Sequence, residues 1–374
     1  MKKKIAIIGA GIAGLTLGNF LQKNSDYEFI IYEKAEKLNL EEGFGVQLAI
    51  NSVSILNQIG FRDLNKTDSF NPKTLDFYSN QHKLCHLDLT QFNTETEKYT
   101  TLKRSSLIKF LKDRLFSNVF RFNKTIETVK HEENKIQIKF TDGVAEEVDY
   151  LVVSDGVFSN TKKILENEKT KINFQGAFAV RTIISRDNFD ILDKENISLL
   201  MHPNTHLVLY PLNKDEYNFV ALIRNKFGVS DHENKEILNK ILKQNKLNII
   251  FDKELSFWPI YKSHKPAISK YKNIFYLGDA FYAFLPTMAQ GASQSIEGAD
   301  ELFKLLEKNI DDLQELYFED RLKRVKTISK RSNLNFFVFH LSNPIVAGIR
   351  NFVLRKLIYN KKFVDRYLGR VFRK

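Results

Sequence analysis

The sequence is nearly free of cysteine and has no cluster of residues that would bind a metal. Its one cysteine, Cys85, excludes an internal disulfide and suits a reducing compartment such as the cytoplasm. The eight histidines are scattered, with no Cys/His group at zinc-ligand spacing, so we expect no metal site. The chain also lacks a Ser–His–Asp pattern, which leaves no sign of metal-dependent or nucleophilic catalysis.

Long apolar runs are missing as well. No segment reaches the roughly 18 consecutive apolar residues that span a membrane. Acidic residues are too few to balance the basic ones, which leaves a formal charge of +12 on 374 residues. Lysine is mixed with glutamate and aspartate along most of the chain, which is typical of a solvated surface, so we expect no nucleic-acid partner. A content of 43% hydrophobic and 27% charged residues indicates a soluble globular protein.

The N-terminal stretch KKKIAIIGAGIAGLTLGNFL has two interpretations. Lysines before an apolar run are typical of a secretory signal peptide, but no small-residue cleavage site follows soon after. Gly9, Gly11 and Gly14 have instead the G-x-G-x-x-G spacing of a dinucleotide-binding turn, after an apolar strand at residues 5–8. A second strand ends at Glu33, 22 residues after Gly11, where a carboxylate can hydrogen-bond a ribose. The stretch therefore predicts a βαβ unit that binds a dinucleotide and a protein that stays in the cytoplasm.

Four further stretches carry a resemblance to a known family. They are GFGVQLAINSVSILNQIGF at 43–61, LKRSSLIKFL at 102–111, VDYLVVSDGVFSNTKK at 148–163 and NIFYLGDAFYAFLPTMAQGASQSIEGADEL at 273–302. In this order after GAGIAG, they make the chain resemble the single-component FAD-dependent aromatic monooxygenases of the para-hydroxybenzoate hydroxylase fold. HLVLYPLNKDEYNFVALI and PTMAQGASQSIEGA look most like the branch of salicylate, 3-hydroxybenzoate and urate hydroxylases. The resemblance covers nearly the whole chain.

The resemblance implies an α/β fold with a Rossmann-like FAD-binding domain of the GR2 type and an inserted mixed or antiparallel β-sheet domain for the substrate. Strand patterns in FAVRTIIS, HLVLYPL and YNFVALIR support that second sheet. We expect a discontinuous FAD-binding domain (1–70, 100–165 and 268–320), a substrate domain (71–99 and 166–267) and C-terminal basic helices (321–374).

Residues that match the family's FAD motifs are candidate cofactor contacts. Asp279 also follows an apolar strand, and ligands of α/β sheets bind beyond the carboxyl ends of strands. The next helix begins near Gly291, and its free N–H groups and positive dipole end are available to a flavin. The candidate FAD contacts are Gly9, Gly11, Gly14, Glu33, Lys34, Gly45, Val46, Gln47, Arg104, Asp155, Gly278, Asp279, Pro286, Gly291 and Ala292.

Two positions depart from the family pattern. Lys162 stands where the family usually has arginine, which keeps the charge but loses the bidentate fork. Phe281 and Tyr282 replace the usual Ala-His after Gly-Asp. This second departure puts the usual hydrogen bonding behind the flavin, and access to it, in question.

Arg181 and Tyr210 match positions that line the active site of the resembled hydroxylases, which makes them the candidate catalytic residues. A buried arginine can hold an anionic or polarised substrate, and a tyrosine can donate to a phenol-like oxygen. The alternative is an arginine that faces solvent and a tyrosine packed in the sheet. His206 is either a proton shuttle or a histidine of the core. The candidate apolar walls are Phe227, Phe284 and Leu285.

The C-terminal stretch contains a candidate amphipathic helix. Ile345, Ile349, Phe352, Val353 and Leu357 recur at helical spacing among arginines and lysines. Such a helix either lies on an anionic membrane as a peripheral contact or docks on the protein with its cations in water. The sequence leaves both alternatives open.

The resemblance implies an enzyme that uses FAD, NAD(P)H and O2 to hydroxylate a small aromatic or heteroaromatic compound through a flavin C4a-hydroperoxide. NADH or NADPH is expected to bind transiently, because the sequence holds no second G-x-G-x-x-G for it. Two alternatives remain: a related hydroxylase or reductase of a lipophilic quinone or isoprenoid, and a flavin-binding protein without turnover. A monomer and a homodimer are both compatible with the sequence.

Overall fold

The computed structural model describes residues 2–38, 40, 44–64, 67–132, 134–166, 172–186, 192–224, 231–247, 257–308, 310 and 312–372. Phe227, a predicted apolar wall, lies outside these described residues. The strands are β1 (Lys3–Ile8), β2 (Tyr27–Tyr32), β3 (Gly45–Leu48), β4 (Ser69–Phe70), β5 (Thr74–Ser79), β6 (His82–Asp88), β7 (Thr100–Lys103), β8 (Phe120–Arg121), β9 (Ile126–Glu132), β10 (Lys135–Phe140), β11 (Ala145–Val148), β12 (Tyr150–Val153), β13 (Ile172–Ser185), β14 (Ile197–His202), β15 (Thr205–Pro211), β16 (Glu216–Arg224), β17 (Trp258–Ser263) and β18 (Ile274–Tyr276). The helices are α1 (Ile12–Leu21), α2 (Ile50–Asn57), α3 (Arg104–Lys112), α4 (Asn160–Glu166), α5 (Asp231–Gln244), α6 (Gly291–Lys308), α7 (Leu313–Phe339), α8 (Pro344–Leu357), α9 (Lys361–Val364) and α10 (Arg370–Phe372).

A parallel sheet in the order β18-β12-β1-β2-β8 carries the glycine-rich turn. Its central strands are buried on both faces, which explains their continuous apolar sequences. Ile5 and Ile7 of β1 pack into the core formed with α1 and α6. Ala6 and Ile8 pack on the other side, against the antiparallel β9–β11 meander. Because β1 lies in the middle of these layers, the turn that follows it is fixed at the carboxyl end of the central strand.

A second sheet of seven strands has the order β17-β13-β16-β15-β14-β5-β6. It is antiparallel except for the parallel pair β14 and β5, so the predicted α/β fold with a mixed second sheet is confirmed. Alternate residues of β15 face opposite sides. Leu207 and Leu209 pack against α5, whereas His206, Val208 and Tyr210 face a cavity. This sheet therefore forms one wall of the candidate site.

A buried carboxylate on α6 joins three helices. Arg324 of α7 donates from Nε and Nη2 to the two oxygens of Glu297, at 2.9 and 2.6 Å, and Arg321 lies 3.4 Å away. Asn51 of α2 also donates to Glu297, and Arg324 donates to the Val371 carbonyl at 2.6 Å. Burial alone raises the pKa of Glu297, but the bonds and charges of Arg324 and Arg321 outweigh it and hold the pKa below its ordinary value. One carboxylate thus fixes the C-terminal end of the chain to α6.

Within the described ranges, no helix is both long and apolar enough to cross a bilayer.

Replacing Glu297 should destabilise the fold strongly. Glu297→Gln removes the carboxylate that pairs with the partly buried Arg324, and it leaves the buried Arg321 paired with Glu301 at 3.1 Å. Because a buried anion is then lost beside two arginines, we expect the free energy of unfolding in urea to fall by about 3 kcal/mol. The matched control is Asp320→Asn, which removes an exposed pair with Lys323 at 3.4 Å and should change stability by less than about 0.5 kcal/mol. Equal losses in the two variants would contradict the importance of the buried carboxylate.

Candidate active site

A cavity of about 870 Å³ lies between the turns of the parallel sheet, the seven-stranded sheet and the C-terminal helices. Twelve predicted site residues line it: Gly11, Gly45, Val46, Gln47, Arg104, Arg181, Tyr210, Gly278, Asp279, Pro286, Gly291 and Ala292. The predicted apolar walls Phe284 and Leu285 line it as well. Gly9, Gly14, Glu33, Lys34 and Asp155 lie outside the lining. Residues from distant parts of the sequence therefore meet around one volume.

The turn after β1 brings the N-terminus of α1 to the cavity. Gly9 has a φ of +101°, and a Cβ there would lie 2.7 Å from the Ser154 carbonyl oxygen. A Cβ on Gly14 would lie 2.2 Å from the Gly9 carbonyl oxygen, so only glycine allows helix and turn to touch. No side chain caps α1 at Gly11, and a Cβ on Gly11 would meet open space. The free N–H groups at this helix end can therefore hold a phosphate.

Glu33 is held beside this turn although it does not line the cavity. Its Oε2 accepts from the Ala10 N–H at 2.9 Å and its Oε1 from the Ala35 N–H at 3.0 Å. The side chain of Lys34 is exposed. The carboxylate at the end of β2 is thus fixed where an adenosine ribose would extend from the turn.

Asp279 forms the centre of a charged cluster. It lies on a 3-10 turn directly after β18, where it lines the cavity and is accessible from it. Burial raises the pKa of Asp279, and the charges of Arg104, Lys162 and Arg181 offset part of that rise. Burial also lowers the pKa of Arg104, with a partial offset from Asp279. Three cations beside one carboxylate leave an excess of positive charge that suits an anionic cofactor.

The second charged motif supports this cluster from outside the cavity. Asp155 Oδ2 accepts from the N–H and hydroxyl of Thr161, at 3.2 and 2.9 Å, while its Oδ1 is buried without a partner. Lys162 is buried, and its Nζ donates to the Ala280 carbonyl at 3.1 Å. Burial lowers the pKa of Lys162, and Asp155 offsets part of that shift. The lysine in place of arginine therefore holds the turn that carries Asp279.

Phe281 and Tyr282 are buried behind that turn and do not line the cavity. The Phe281 ring makes edge contacts with Tyr317 and Phe318 of α7, with ring centroids 6.2 Å apart. The Tyr282 hydroxyl lies 2.8 Å from Ser329 Oγ, also on α7. Both side chains that stand in place of the usual Ala-His therefore pack the turn against α7, away from the cavity.

Arg181 and Tyr210 lie together beside Gly45 and Gln47. Burial lowers the pKa of Arg181, although Tyr210 and Asp279 counteract it, and the Arg181 Nε is buried without a hydrogen-bond partner. Burial raises the pKa of Tyr210, with partial offsets from Arg181 and from a hydrogen bond with Gln47. A Cβ on Gly45 would lie 2.7 Å from the Tyr210 hydroxyl, so the glycine makes room for it. An unpaired cationic donor beside a neutral phenol calls for a ligand with acceptor oxygens.

His206 is buried, and it also lines the cavity. His340 Nδ1 lies 2.6 Å from the Phe336 carbonyl, which only accepts, so this nitrogen carries the proton. The unprotonated Nε2 of His340 then accepts a hydrogen bond from His206 Nδ1 at 3.0 Å. The Leu222 carbonyl oxygen lies farther from this nitrogen, at 3.4 Å. Burial lowers the pKa of His340 to about 4 and that of His206 well below its ordinary value. His206 is thus neutral, with Nε2 as an acceptor.

Sequence reasoning missed the far end of the cavity. Val338 and Phe339 of α7 and Arg350 and Leu354 of α8 line it, yet they lie in the segment predicted only as basic helices. Tyr99 was also missed; its hydroxyl donates to Gln47 Oε1 at 2.7 Å and orients that amide towards Tyr210. No motif marks these positions, because ordinary helix and strand patterns place them there.

The parallel sheet, the glycine-lined helix end and the excess of positive charge define a protein that binds a dinucleotide cofactor. More specifically, the chain belongs to the family described as FAD binding domain, whose model matches residues 2–332. The predicted FAD cofactor and family are thereby confirmed, and the relatives named next confirm the enzyme class of FAD-dependent monooxygenases.

Relatives and solved structures agree with this family. The chain is 24% identical to 3-amino-4-hydroxybenzoate 2-monooxygenase PtmB3 of Streptomyces platensis, over 94% of this chain and 92% of that protein. It is 25% identical to 6-hydroxynicotinate 3-monooxygenase of Bordetella bronchiseptica, over 92% and 94%. Its fold is similar to Klebsiella pneumoniae HpxO complexed with FAD and uric acid, with a TM-score of 0.84 and 16% identity over 99% of this chain and 96% of that chain.

The histidine pair predicts a specific pH dependence. In the native state His340 stays neutral down to about pH 4, whereas the unfolded chain takes up the proton near pH 6.5, so native stability is lost as the pH falls between these values. His340→Gln should destabilise at neutral pH, but the difference from wild type in unfolding free energy should shrink by about 2 kcal/mol between about pH 7.5 and pH 5. Urea unfolding at both values measures this. A difference that stays constant would mean that His340 is charged in the native protein.

Proposed function

We propose that the chain is an FAD- and NAD(P)H-dependent monooxygenase that uses O2 to hydroxylate an aromatic or heteroaromatic ring. The observation that carries the proposal is the position of Arg181 and Tyr210 in the same cavity as the glycine-rich turns. An unpaired guanidinium Nε and a neutral phenol suit a phenolate, a carboxylate or a ring carbonyl oxygen. The relatives are named for 3-amino-4-hydroxybenzoate and 6-hydroxynicotinate, and both compounds have a hydroxyl and a carboxylate oxygen of this kind.

The residues around the cavity fit FAD. The uncapped start of α1 at Gly11 suits the pyrophosphate, and Glu33 suits the adenosine ribose. Asp279 and Arg104 suit the linking ribityl and phosphate groups. Gly291 starts α6, where a Cβ would meet open space, so the positive end of that helix is accessible to the flavin ring. The remaining proposed contacts are Gly9, Gly14, Lys34, Gly45, Val46, Gln47, Asp155, Gly278, Pro286 and Ala292.

The protein's own part in the reaction is to bind, orient and exclude water. Bound FAD, reduced by NADH or NADPH, supplies the oxygen-activating chemistry. Arg181 holds an acceptor oxygen of the substrate, and Tyr210, kept protonated by burial, donates a hydrogen bond to it. Tyr99 and Gln47 fix the direction of the Tyr210 hydroxyl. The apolar strand residues keep the reacting ring away from bulk water.

A lipophilic substrate, such as a quinone or isoprenoid compound, is the second candidate. The observation in its favour is the apolar wall of the seven-stranded sheet, which consists of Leu75, Phe77, Leu87, Ile197, Leu199, Val208, Val220 and Leu222. A flavin-binding protein without turnover loses its only support, because Phe281 and Tyr282 lie outside the cavity lining.

The proposal extends to the setting of the enzyme. Residues 1–70, 100–165 and 268–320 form the FAD-binding domain, residues 71–99 and 166–267 the substrate domain, and residues 321–374 the C-terminal basic helices. The enzyme works in the cytoplasm as a monomer or homodimer on a small molecule and O2, without nucleic acid, and the basic helices make peripheral contact with a membrane.

A negative charge at the start of α1 should expel FAD without harming the fold. Gly11→Asp points into open space and places a favourable cap on α1, yet it repels a pyrophosphate bound there. We expect flavin absorbance of the purified protein to fall by at least about tenfold, while thermal unfolding of the apoprotein stays unchanged. Gly11→Ser, a neutral cap, is the control and should retain more FAD. Full flavin content in Gly11→Asp would contradict the proposed position of the pyrophosphate.

Arg181 and Tyr210 should govern coupled turnover. With phenolic, purine, quinolone and isoprenoid compounds as a panel, wild type should consume NAD(P)H and O2 together as product forms. Arg181→Gln should lower that rate by about a hundredfold and Tyr210→Phe by about tenfold, at unchanged FAD content, because charged hydrogen bonds contribute more than neutral ones.

The control for this prediction is Arg186→Gln, which removes a guanidinium just after the same strand, at a surface pair with Glu195. NAD(P)H oxidation that proceeds without O2 would indicate a reductase. Absence of any substrate-stimulated oxidation across the panel would contradict the proposed hydroxylase.

A further inference from the structure

Exposed hydrophobic side chains are concentrated in one short part of the chain. Of sixteen large exposed hydrophobic residues in the described ranges, eight fall between residues 334 and 359. Six of these, on the end of α7 and on α8, make up the apolar patch: Leu334, Ile345, Val346, Ile349, Phe352 and Val353. Single exposed hydrophobics are ordinary, but a contiguous group marks a contact surface.

The patch follows one side of α8. Ile345, Ile349 and Phe352 are four and three residues apart, which aligns them on the helix, and Val353 adjoins them. Ile349 is 60% exposed and Phe352 64%. Lys356, one turn later, continues this side, with its Nζ 6.0 Å from the centroid of the Phe352 ring. An apolar stripe that ends in a lysine able to extend its charge outwards is typical of helices that lie in a lipid interface.

The positive charge of the protein is concentrated around the patch. Residues 321–374 hold fifteen of the 57 lysines and arginines but one of the 45 acidic residues, Asp365, so this segment carries +14 and the other 320 residues carry −2. Nine of its cations are exposed in the part of the segment that the structure describes, and Arg355, Lys356, Lys361 and Lys362 adjoin the patch in sequence. The complementary partner is therefore a strongly anionic surface that also accepts apolar side chains.

The cavity opens at the same place. Leu334, Val346, Ile349 and Val353 line the cavity and are also 50%, 42%, 60% and 42% exposed. The opposite side of α8 faces inwards, where Arg350 Nη1 donates to the Val338 carbonyl at 3.2 Å. α8 therefore lies along the opening between the apolar interior and the outside.

We propose that the apolar patch docks on an anionic lipid bilayer and that this contact brings the cavity opening to the lipid, from which a lipophilic aromatic substrate enters. The docking follows from the patch and its charge; the entry of substrate also rests on the proposed function. A second copy of the chain is a poor partner for the apolar patch, because two segments that each carry +14 would then lie against each other and repel. Nucleic acid would satisfy the cations but leave the aliphatic side chains of α8 in water.

Vesicle binding of the holoenzyme tests the docking. We expect wild type to bind vesicles of phosphatidylcholine mixed with phosphatidylglycerol and to bind pure phosphatidylcholine at least about tenfold more weakly. Ile349→Glu should lower binding by at least about tenfold, and Lys362→Gln roughly fivefold. Phe116→Glu, at a 66% exposed phenylalanine outside the segment, is the matched control and should bind like wild type. Flavin absorbance and circular dichroism establish that each variant is folded.

Three results would overturn the docking. The first is no binding to either vesicle. The second is equal binding to both, because the charge would then play no part. The third is a wild-type dimer that Ile349→Glu dissociates while vesicle binding is absent, which would make the patch an interface between copies.

Ligand binding without turnover tests the entry of substrate. The probes are phenol, 4-butylphenol and 4-octylphenol, whose binding is read from the flavin absorbance of the oxidised enzyme in the absence of NAD(P)H. We expect affinity to rise about threefold to fourfold for each added methylene. An affinity that does not change with chain length would overturn lipid-side entry. Because no turnover is measured, this result is distinguishable from failure of the proposed hydroxylase activity.

Discussion

The buried carboxylate of Glu297 is the constraint on which the arrangement of the site depends. It lies on α6, whose N-terminus borders the cavity, and it binds two arginines of α7 and an asparagine of α2. Arg324 extends the same network to the Val371 carbonyl near the C-terminus. The helix whose N-terminus borders the cavity and the helices that close its far end are thus held by one anion. A buried charge of this kind fixes the geometry of its partners, because moving any of them away leaves a buried charge unpaired, which is energetically costly.

The polar groups of the cavity, in contrast to the paired carboxylate of Glu297, are left partly without hydrogen-bond partners. Arg181 Nε has no partner, the α1 terminus has no cap, and three cations surround the Asp279 carboxylate. Buried polar groups in folded proteins are normally paired, so unpaired groups that converge on a cavity indicate where a ligand completes the structure. An anionic dinucleotide and an oxygen-bearing substrate are the ligands proposed to supply what these groups lack.

The far end of the cavity is apolar and belongs to the C-terminal segment. His340 of that segment orients His206, so this histidine of the strand wall presents a neutral acceptor to the cavity. α8 covers the opening with hydrophobic side chains on both of its sides. The segment whose charge of +14 exceeds the net charge of the whole chain therefore also forms the far end of the cavity.

The sequence by itself determined the βαβ unit, the FAD motifs and the presence of a second sheet, because glycine spacing and apolar strand patterns are local features of the chain. Gly9, Gly11 and Gly14 identify the turn whatever the rest of the chain does, and Asp279 is marked by the strand before it. Only the tertiary structure decided that Tyr99 orients Gln47, that His340 fixes the tautomer of His206, and that Phe281 and Tyr282 pack away from the cavity. These contacts join residues 36 or more positions apart, and no local pattern encodes them. The same holds for the opening at α8: helical spacing gave its amphipathic form, but only packing against the seven-stranded sheet placed this helix along the cavity.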